Sequence, residues 1–313
     1  MTKTAFVFPG QGSQYVGMGK EIVDNFITAK RVYEEASDYL GLDMAKLSFE
    51  GPKEELVKTE NAQPAILTTC IAILRVLEEL GYSCDFTAGL SLGEYGSMVK
   101  SNVLKFNDTV KLVKNRGKYM QEAVPLGEGG MAAIIGLERE KIEKTLEKCK
   151  EYGLVEVANY NSPGQIVISG EIEAVKIAKE KLSELGARKS VLLPVSAPFH
   201  CSLLKGAGEK LKVDLHELEI EAPEIPIITN VDAAILDNRN EVIPRLVKQV
   251  SSSVLWQDSV ENMIDMGVNK FIEIGPGKTL SNFIKRISKN MNKTVSIYNV
   301  EDIKSLKKLT DDK

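Results

Sequence analysis

Short apolar strands alternate with long amphipathic helices along this chain, and that alternation restricts its fold more than any other feature. Phe6 to Phe8 reads as a strand ending in the glycine-rich turn Pro9-Gly10-Gln11-Gly12-Ser13. Helical patterns follow near Val23 to Tyr39 and Ala65 to Leu80. A short strand from Asp85 to Ala88 comes next, then a helical stretch from Glu94 and a helix from about Asp108 to Ala123. Strands separated by helices pair in parallel, and such a sheet is covered on both faces. The pattern breaks at Pro125-Leu126-Gly127-Glu128-Gly129-Gly130. A different series follows: strand Met131 to Ile135, helix Glu138 to Tyr152, strand Leu154 to Asn159 and the turn Asn161-Ser162-Pro163-Gly164. Strand Gln165 to Ser169, helix Glu171 to Leu185 and strand Lys189 to Val195 complete it. This order is the ferredoxin-like split unit, which closes on itself. Residues 126–196 are therefore expected to form an inserted subdomain, with 1–125 and 197–313 making the large domain. The chain rejoins that domain through a strand at Ile225 to Asn230, a helix at Glu241 to Val250 and a strand at Phe271 to Ile274. Its charged tail from Glu301 is expected to fray.

Composition removes several classes of function. The 313 residues are 43% apolar and 27% charged, a globular balance that excludes wholesale disorder. With 40 Lys and Arg against 44 Asp and Glu, the formal charge is −4, which argues against a general nucleic-acid binder. Pro64 to Leu80, the longest apolar candidate, carries Arg75, Glu78 and Glu79, so no membrane span is expected. The start, Met-Thr-Lys-Thr, leads directly into a strand and does not read as a secretion signal. Cys70, Cys84, Cys149 and Cys201 are scattered, and the chain has two histidines. A Cys/His zinc site is not expected, and the cysteines read as free thiols in a reducing cytoplasm.

Gly89-Leu90-Ser91-Leu92-Gly93 fits the Gly-x-Ser-x-Gly elbow, a strand-to-helix turn so tight that its flanks need glycine. The turn lifts the serine hydroxyl to the carboxyl edge of the sheet, and the N–H of Leu92 then faces a developing oxyanion. A structural glycine turn with a surface serine is the other reading. A serine nucleophile needs a base. His216 lies among charges in Leu211 to Leu218, on what reads as a solvated segment. His200 sits in the apolar, proline-stiffened loop Ser196-Ala197-Pro198-Phe199-His200-Cys201. That makes it the candidate base, with a satisfied core histidine as the alternative. No acid stands out as a third member, and a carbonyl could orient the imidazole instead. On a helical wheel over Asp108 to Val124, Lys111, Lys114, Lys118 and Glu122 share one side. Leu112, Val113, Met120, Ala123 and Val124 share the other, and Arg116 falls among them. A guanidinium there keeps its proton and needs an anion or several acceptors: an internal salt bridge, or a substrate carboxylate held by the planar fork. Gly275-Pro276-Gly277-Lys278-Thr279 looks like a phosphate loop but has Ile272 where that pattern needs glycine, so it reads as a tight turn.

Together these segments resemble the malonyl-CoA:acyl carrier protein transacylase family, over nearly the whole chain. The residues carrying the resemblance are Phe8 to Gln14, the Ser91 elbow continuing as Glu94-Tyr95, and Arg116. Asn161 to Gln165, the loop from Ser196 to His200, and Gly275 to Lys278 complete the set. The resemblance implies an α/β-hydrolase-like parallel core with an inserted ferredoxin-like subdomain. It implies a malonyl ester on Ser91, His200 as base, Arg116 on the malonyl carboxylate, and an oxyanion hole from the N–H groups of Gln11 and Leu92. It also implies that the main-chain carbonyl of Gln249 orients the histidine and that Gln63 lies near the pocket. Leu90 stands where many members have histidine. Phe199 precedes the base as in related polyketide acyltransferase domains that prefer malonyl over methylmalonyl units. The implied substrates are malonyl-CoA and holo-acyl carrier protein, with no resident cofactor or metal, in a cytoplasmic monomer. An acidic carrier would need a basic patch, for which Arg188 with Lys189, or Lys285 with Arg286, are candidates. A serine thioesterase or hydrolase on the same elbow, a non-catalytic carrier-binding module and a discrete polyketide-pathway acyltransferase are the rival readings.

Overall fold

The computed structural model describes residues 2–195 and 197–311. Its larger sheet grows from the first strand outward. In β1 (Lys3–Phe8) the residues Ala5, Phe6, Val7 and Phe8 are all fully buried, so both faces of the strand are covered and the sequence there is continuously apolar. The remaining strands are β2 (Phe86–Gly89), β3 (Gly129–Ile135), β4 (Val155–Ser162), β5 (Gln165–Glu171), β6 (Lys189–Leu192), β7 (Ile227–Ile228), β8 (Ile235–Leu236), β9 (Val268–Ile274) and β10 (Ser296–Val300). The large sheet has the order β10-β9-β1-β2-β7-β8 and is parallel except for the edge pair β7 and β8. Phe8 pairs with Gly89, so β1 and β2 end level. The turn after Phe8 and the elbow after Gly89 consequently leave the sheet side by side at its carboxyl edge.

The second sheet, β4-β5-β3-β6, is antiparallel throughout. Helices Arg139–Cys149 and Ile172–Glu184 pack on it around Ile134, Ile142, Leu146, Ile168 and Leu182. That strand order is the split βαβ arrangement read from the sequence. The antiparallel sheet is tied to the large domain by backbone. The Tyr160 N–H donates to Val254 O (2.9 Å) and the Val254 N–H to Ala158 O (2.8 Å), extending β4 with a segment of the large domain.

Several expectations need correction. The helix expected from Val23 to Tyr39 is two, Lys20–Asn25 and Ile27–Leu40, because Phe26 adopts an extended conformation between them. The strand expected over Ile225 to Asn230 shrinks to β7, since only its antiparallel partner β8 lies beyond it in the sheet. Asn161 and Ser162 belong to β4, leaving Pro163 and Gly164 as the turn. The segment around His216 is the helix Lys205–His216, whose apolar residues Leu211 and Leu215 are buried while His216 is exposed. β6 ends at Leu192, short of the expected Val195, and Ser196 lies outside the described residues.

As far as Asp311 the tail does not fray. Helix Ile303–Asp311 lays its apolar stripe on the core, burying Leu306 and Leu309, and Tyr82 Oη donates to Leu309 O. Its lysines made the segment look solvated, but they occupy the opposite face. Leu309→Ala should therefore destabilise the protein by about 2–3 kcal/mol, as a core truncation does, rather than the few tenths expected of a loose tail. Urea unfolding of the variant against the native protein measures the difference.

Candidate active site

The elbow is built by close backbone approach. A Cβ at Gly89 would lie 1.9 Å from Gly93 C, and one at Gly93 would lie 2.0 Å from Phe8 O. Neither flank admits any other residue. Between them Ser91 sits at φ 54°, in the left-handed region that disfavours side chains. Asn230 braces this strained residue: its Oδ1 accepts from the Ser91 N–H (2.6 Å) and its Nδ2 donates to Gly89 O (2.7 Å). Leu92 opens the helix Gly93–Lys100, so its N–H belongs to the first turn, which has no intrahelical acceptor. A Cβ at Gly10 would fall 2.5 Å from Leu90 O, which shows how closely the first turn lies against the elbow. Gln11, next in that turn, donates from Nε2 to Thr59 Oγ1 (3.3 Å).

His200 is the partner of Ser91. Its Nε2 lies 2.6 Å from Ser91 Oγ and its Nδ1 lies 3.0 Å from the main-chain O of Gln249. A carbonyl can only accept, so the proton resides on Nδ1 and Nε2 is left to receive the serine O–H. His200 also holds a left-handed φ of 60°. Its loop is pinned on the far side by Glu156 of β4, whose carboxylate accepts from the N–H and Oγ of Ser202, both at 2.8 Å. Burial first, then the Arg116 charge, lowers the imidazole pKa to about 4, while the Gln249 carbonyl opposes the shift. At neutral pH the ring is an uncharged base.

Arg116 comes from helix Phe106–Glu122, on the face with Leu112, Val113 and Met120, and only 1% of it is exposed. Lys111, Lys118 and Glu122 point outward, as the wheel requires. The guanidinium donates from Nη1 to Gln63 Oε1 (2.8 Å), and from Nη2 to Gln249 Oε1 (2.9 Å) and Ser91 Oγ (3.1 Å). It lies 5.3 Å from the centroid of the Tyr95 ring. Nε has no hydrogen-bond partner, and no carboxylate pairs with this cation among the described residues. Every acceptor it touches is neutral. The internal salt bridge weighed from the sequence is absent there, and the planar fork stands beside the serine hydroxyl.

The structure thus brings Ser91, His200, Arg116, Gln63 and Gln249 into one contact network, with Leu92 and Gln11 at its edge and Phe199 buried beside His200. His216 is remote from it, bonded from Nδ1 to Lys212 O in its own helix. The glycine turn after β9 holds no anion site: the following helix, Thr279–Asn290, already has its first N–H groups, those of Leu280 and Ser281, bound by the Glu273 carboxylate. Three participants escaped sequence reasoning: Asn230, the side chain of Gln249, and Glu94 as a buried acid. Asn230 and Glu94 accompany apolar runs, and a polar residue abutting such a run was the available signal.

With that geometry in view, comparison with known proteins is informative. A family described as acyl transferase domain matches residues 5–309. The chain belongs to the acyl transferase domain family. Over 304 residues it is 46% identical to the malonyl CoA-acyl carrier protein transacylase of Bacillus subtilis, covering 97% of this chain and 96% of that one. The crystal structure of malonyl CoA-acyl carrier protein transacylase from Clostridium perfringens superposes with a TM-score of 0.95 at 49% identity, covering 99% and 97% of the two chains. A structure of a type II PKS acyl-carrier protein in complex with its malonyl-transacylase matches with a TM-score of 0.96 at 41% identity, over 100% of both chains. Among the described residues of this acyl transferase chain, no helix is long and apolar enough to cross a membrane and no group of side chains forms a metal cluster.

The elbow generates a steric prediction. Gly93→Ala should destabilise the protein by more than about 3 kcal/mol, because backbone on both sides blocks the added methyl. Gly12→Ala, at φ 98° with open space around it, should lose only about 1 kcal/mol to strain. Paired urea titrations compare the two.

Proposed function

We propose that this chain is a malonyl-CoA:acyl carrier protein transacylase that moves malonyl from CoA to the phosphopantetheine thiol of the carrier through a malonyl ester on Ser91. The observation carrying this reading is the buried Arg116 fork, ringed by neutral acceptors, 3.1 Å from the hydroxyl that would bear the ester. A general esterase has no use for such a cation, whereas a carboxylate at the far end of the acyl group satisfies it. A non-catalytic carrier-binding module would have no need of the Ser91–His200 pair.

Malonyl-CoA docks with its carboxylate on Arg116. Ser91 Oγ attacks the thioester carbonyl as His200 Nε2 takes its proton. The oxyanion is met by the Leu92 and Gln11 N–H groups. The intermediate collapses, the C–S bond breaks, and His200 returns the proton to the departing CoA sulfur. The carrier thiol then repeats these events in reverse, so both thioesters are substrates and no resident cofactor or metal enters the scheme. The Gln249 carbonyl keeps the imidazole in the receptive tautomer, and Gln63 holds the guanidinium from the other side. Phe199, against the base, would crowd an α-methyl group, worth about 1–3 kcal/mol of discrimination. The scheme calls on no residue of a second copy and so can run in a monomer, and the unpaired cysteines fit a cytoplasmic setting. Arg188 with Lys189, and Lys285 with Arg286, are exposed and offer charge to an acidic carrier, although Arg286 also donates to Gln165. A polyketide-pathway carrier is the second reading, favoured by the likeness to the malonyl-transacylase seen with a type II PKS carrier.

Intact-protein mass spectrometry after mixing with malonyl-CoA should show a malonyl adduct that disappears in Ser91→Ala. An adduct that survives in that variant would refute the mechanism. Arg116→Ala should lower kcat/KM for malonyl-CoA about 100-fold or more, by loss of charge-assisted hydrogen bonds, and affect acetyl-CoA far less. Steady-state rates with both thioesters give the ratio.

A further inference from the structure

Glu94 follows the elbow by three residues and is fully buried. Its Oε2 accepts from the Asn230 N–H (2.9 Å) and from Gln249 Nε2 (3.1 Å), while Oε1 has no hydrogen-bond partner. Gln249 is the bridge. Its Nε2 faces Glu94 and the Ser91 carbonyl, and its Oε1 faces Arg116, so one amide separates the buried acid from the buried cation. The amide orientation is fixed because a carboxylate oxygen accepts and a guanidinium donates. Above about pH 7, without a ligand, the pair carries one charge of each sign.

Resting on the transacylase reading, we propose that Glu94 is the resident counter-charge of Arg116 and takes up a proton from solvent when the malonyl carboxylate docks on that arginine. Once this one cation faces both the docked carboxylate and Glu94 across the Gln249 amide, the enclosed site carries a net negative charge that burial disfavours. A proton on Glu94 restores neutrality. Oε1 can receive it without breaking a hydrogen bond, because both N–H donors sit on Oε2. The carboxyl is already poised for this: burial raises its pKa to about 7 against the hydrogen bonds from Asn230 and Gln249 and the Arg116 charge, which lower it, while Asp232 adds to the rise. The other ionisable groups near it are Tyr95, on the same helix turn, and His200, whose imidazole is the rival proton acceptor. An uncharged acyl group brings no second carboxylate and should draw no proton.

The sign follows from linkage. A group that gains protons on binding weakens binding as pH rises through the window between its free and bound pKa values. Malonyl-CoA affinity should therefore be level below about pH 7 and fall towards tenfold per pH unit above it. Acetyl-CoA affinity should not. The test is calorimetric titration of malonyl-CoA and acetyl-CoA into the full-length Ser91→Ala protein, at pH 7.5 to 8.5 in two buffers of different ionisation enthalpy. Malonyl-CoA should bind with about one more proton taken up than acetyl-CoA. Equal uptake for both ligands overturns the proposal and needs no further variant. Adding Glu94→Gln should abolish the excess and flatten the pH dependence, and an excess that persists there assigns the proton elsewhere and also overturns it. Failure of the transacylase reading itself would show separately, as a missing malonyl adduct on the wild-type protein.

Discussion

A guanidinium sunk among apolar side chains and satisfied only by neutral oxygens organises this molecule's site. A buried cation without a paired anion is strongly disfavoured, and proteins usually resolve that with a carboxylate in contact. Here Gln63, Gln249 and Ser91 supply the acceptors instead, and the nearest acid is kept one amide away. The fork thus stays available to a ligand. Its field also acts on the histidine, adding to burial in keeping the imidazole uncharged.

Holding that cation beside a serine depends on close backbone approach, and the parallel sheet provides this. The level ends of β1 and β2 bring the Gly10 turn against the Leu90 carbonyl, and glycines at 89 and 93 let strand, turn and helix approach closer than any side chain permits. The strain at Ser91 and His200 persists because neighbours over-determine it. Asn230 holds both sides of the serine turn, and β4 of the antiparallel sheet grips the histidine loop through Glu156 and the Gln249 segment through Val254. The antiparallel sheet is therefore part of the scaffold of the candidate site.

Much of this was legible from residues alone. The strand-helix alternation, the split unit and the elbow rest on local patterns with fixed periods, and Arg116 betrayed itself because one helix wheel sufficed to show a charge on the wrong face. What stayed hidden depends on contacts across long stretches of sequence. Asn230 meets Ser91 from 139 positions away, and Gln249 meets Arg116 from 133. The role of the Gln249 carbonyl came only from family resemblance, since a main-chain oxygen leaves no mark in composition. In the tail the lysines outnumber the buried leucines and give the segment a solvated composition, although the leucines decide where it packs. Phe26 breaks a helix that propensity alone would continue.

The group behind His200 shows why a carbonyl would suit the proposed chemistry. An aspartate behind His200 would stabilise the imidazolium and strengthen the base. It would also place a permanent anion close to Arg116, where it would compete with the acyl carboxylate for the cation. The Gln249 carbonyl fixes the same tautomer with no formal charge, at the expense of basicity. For exchange between two thioesters that expense is small. In that proposed exchange the leaving and entering groups are thiols, far better leaving groups than an amine, so neither step would need a strongly polarised imidazolium. A weak, neutral, well-oriented base together with a cation that touches no carboxylate would suit the proposed passing of a charged acyl group between sulfur atoms.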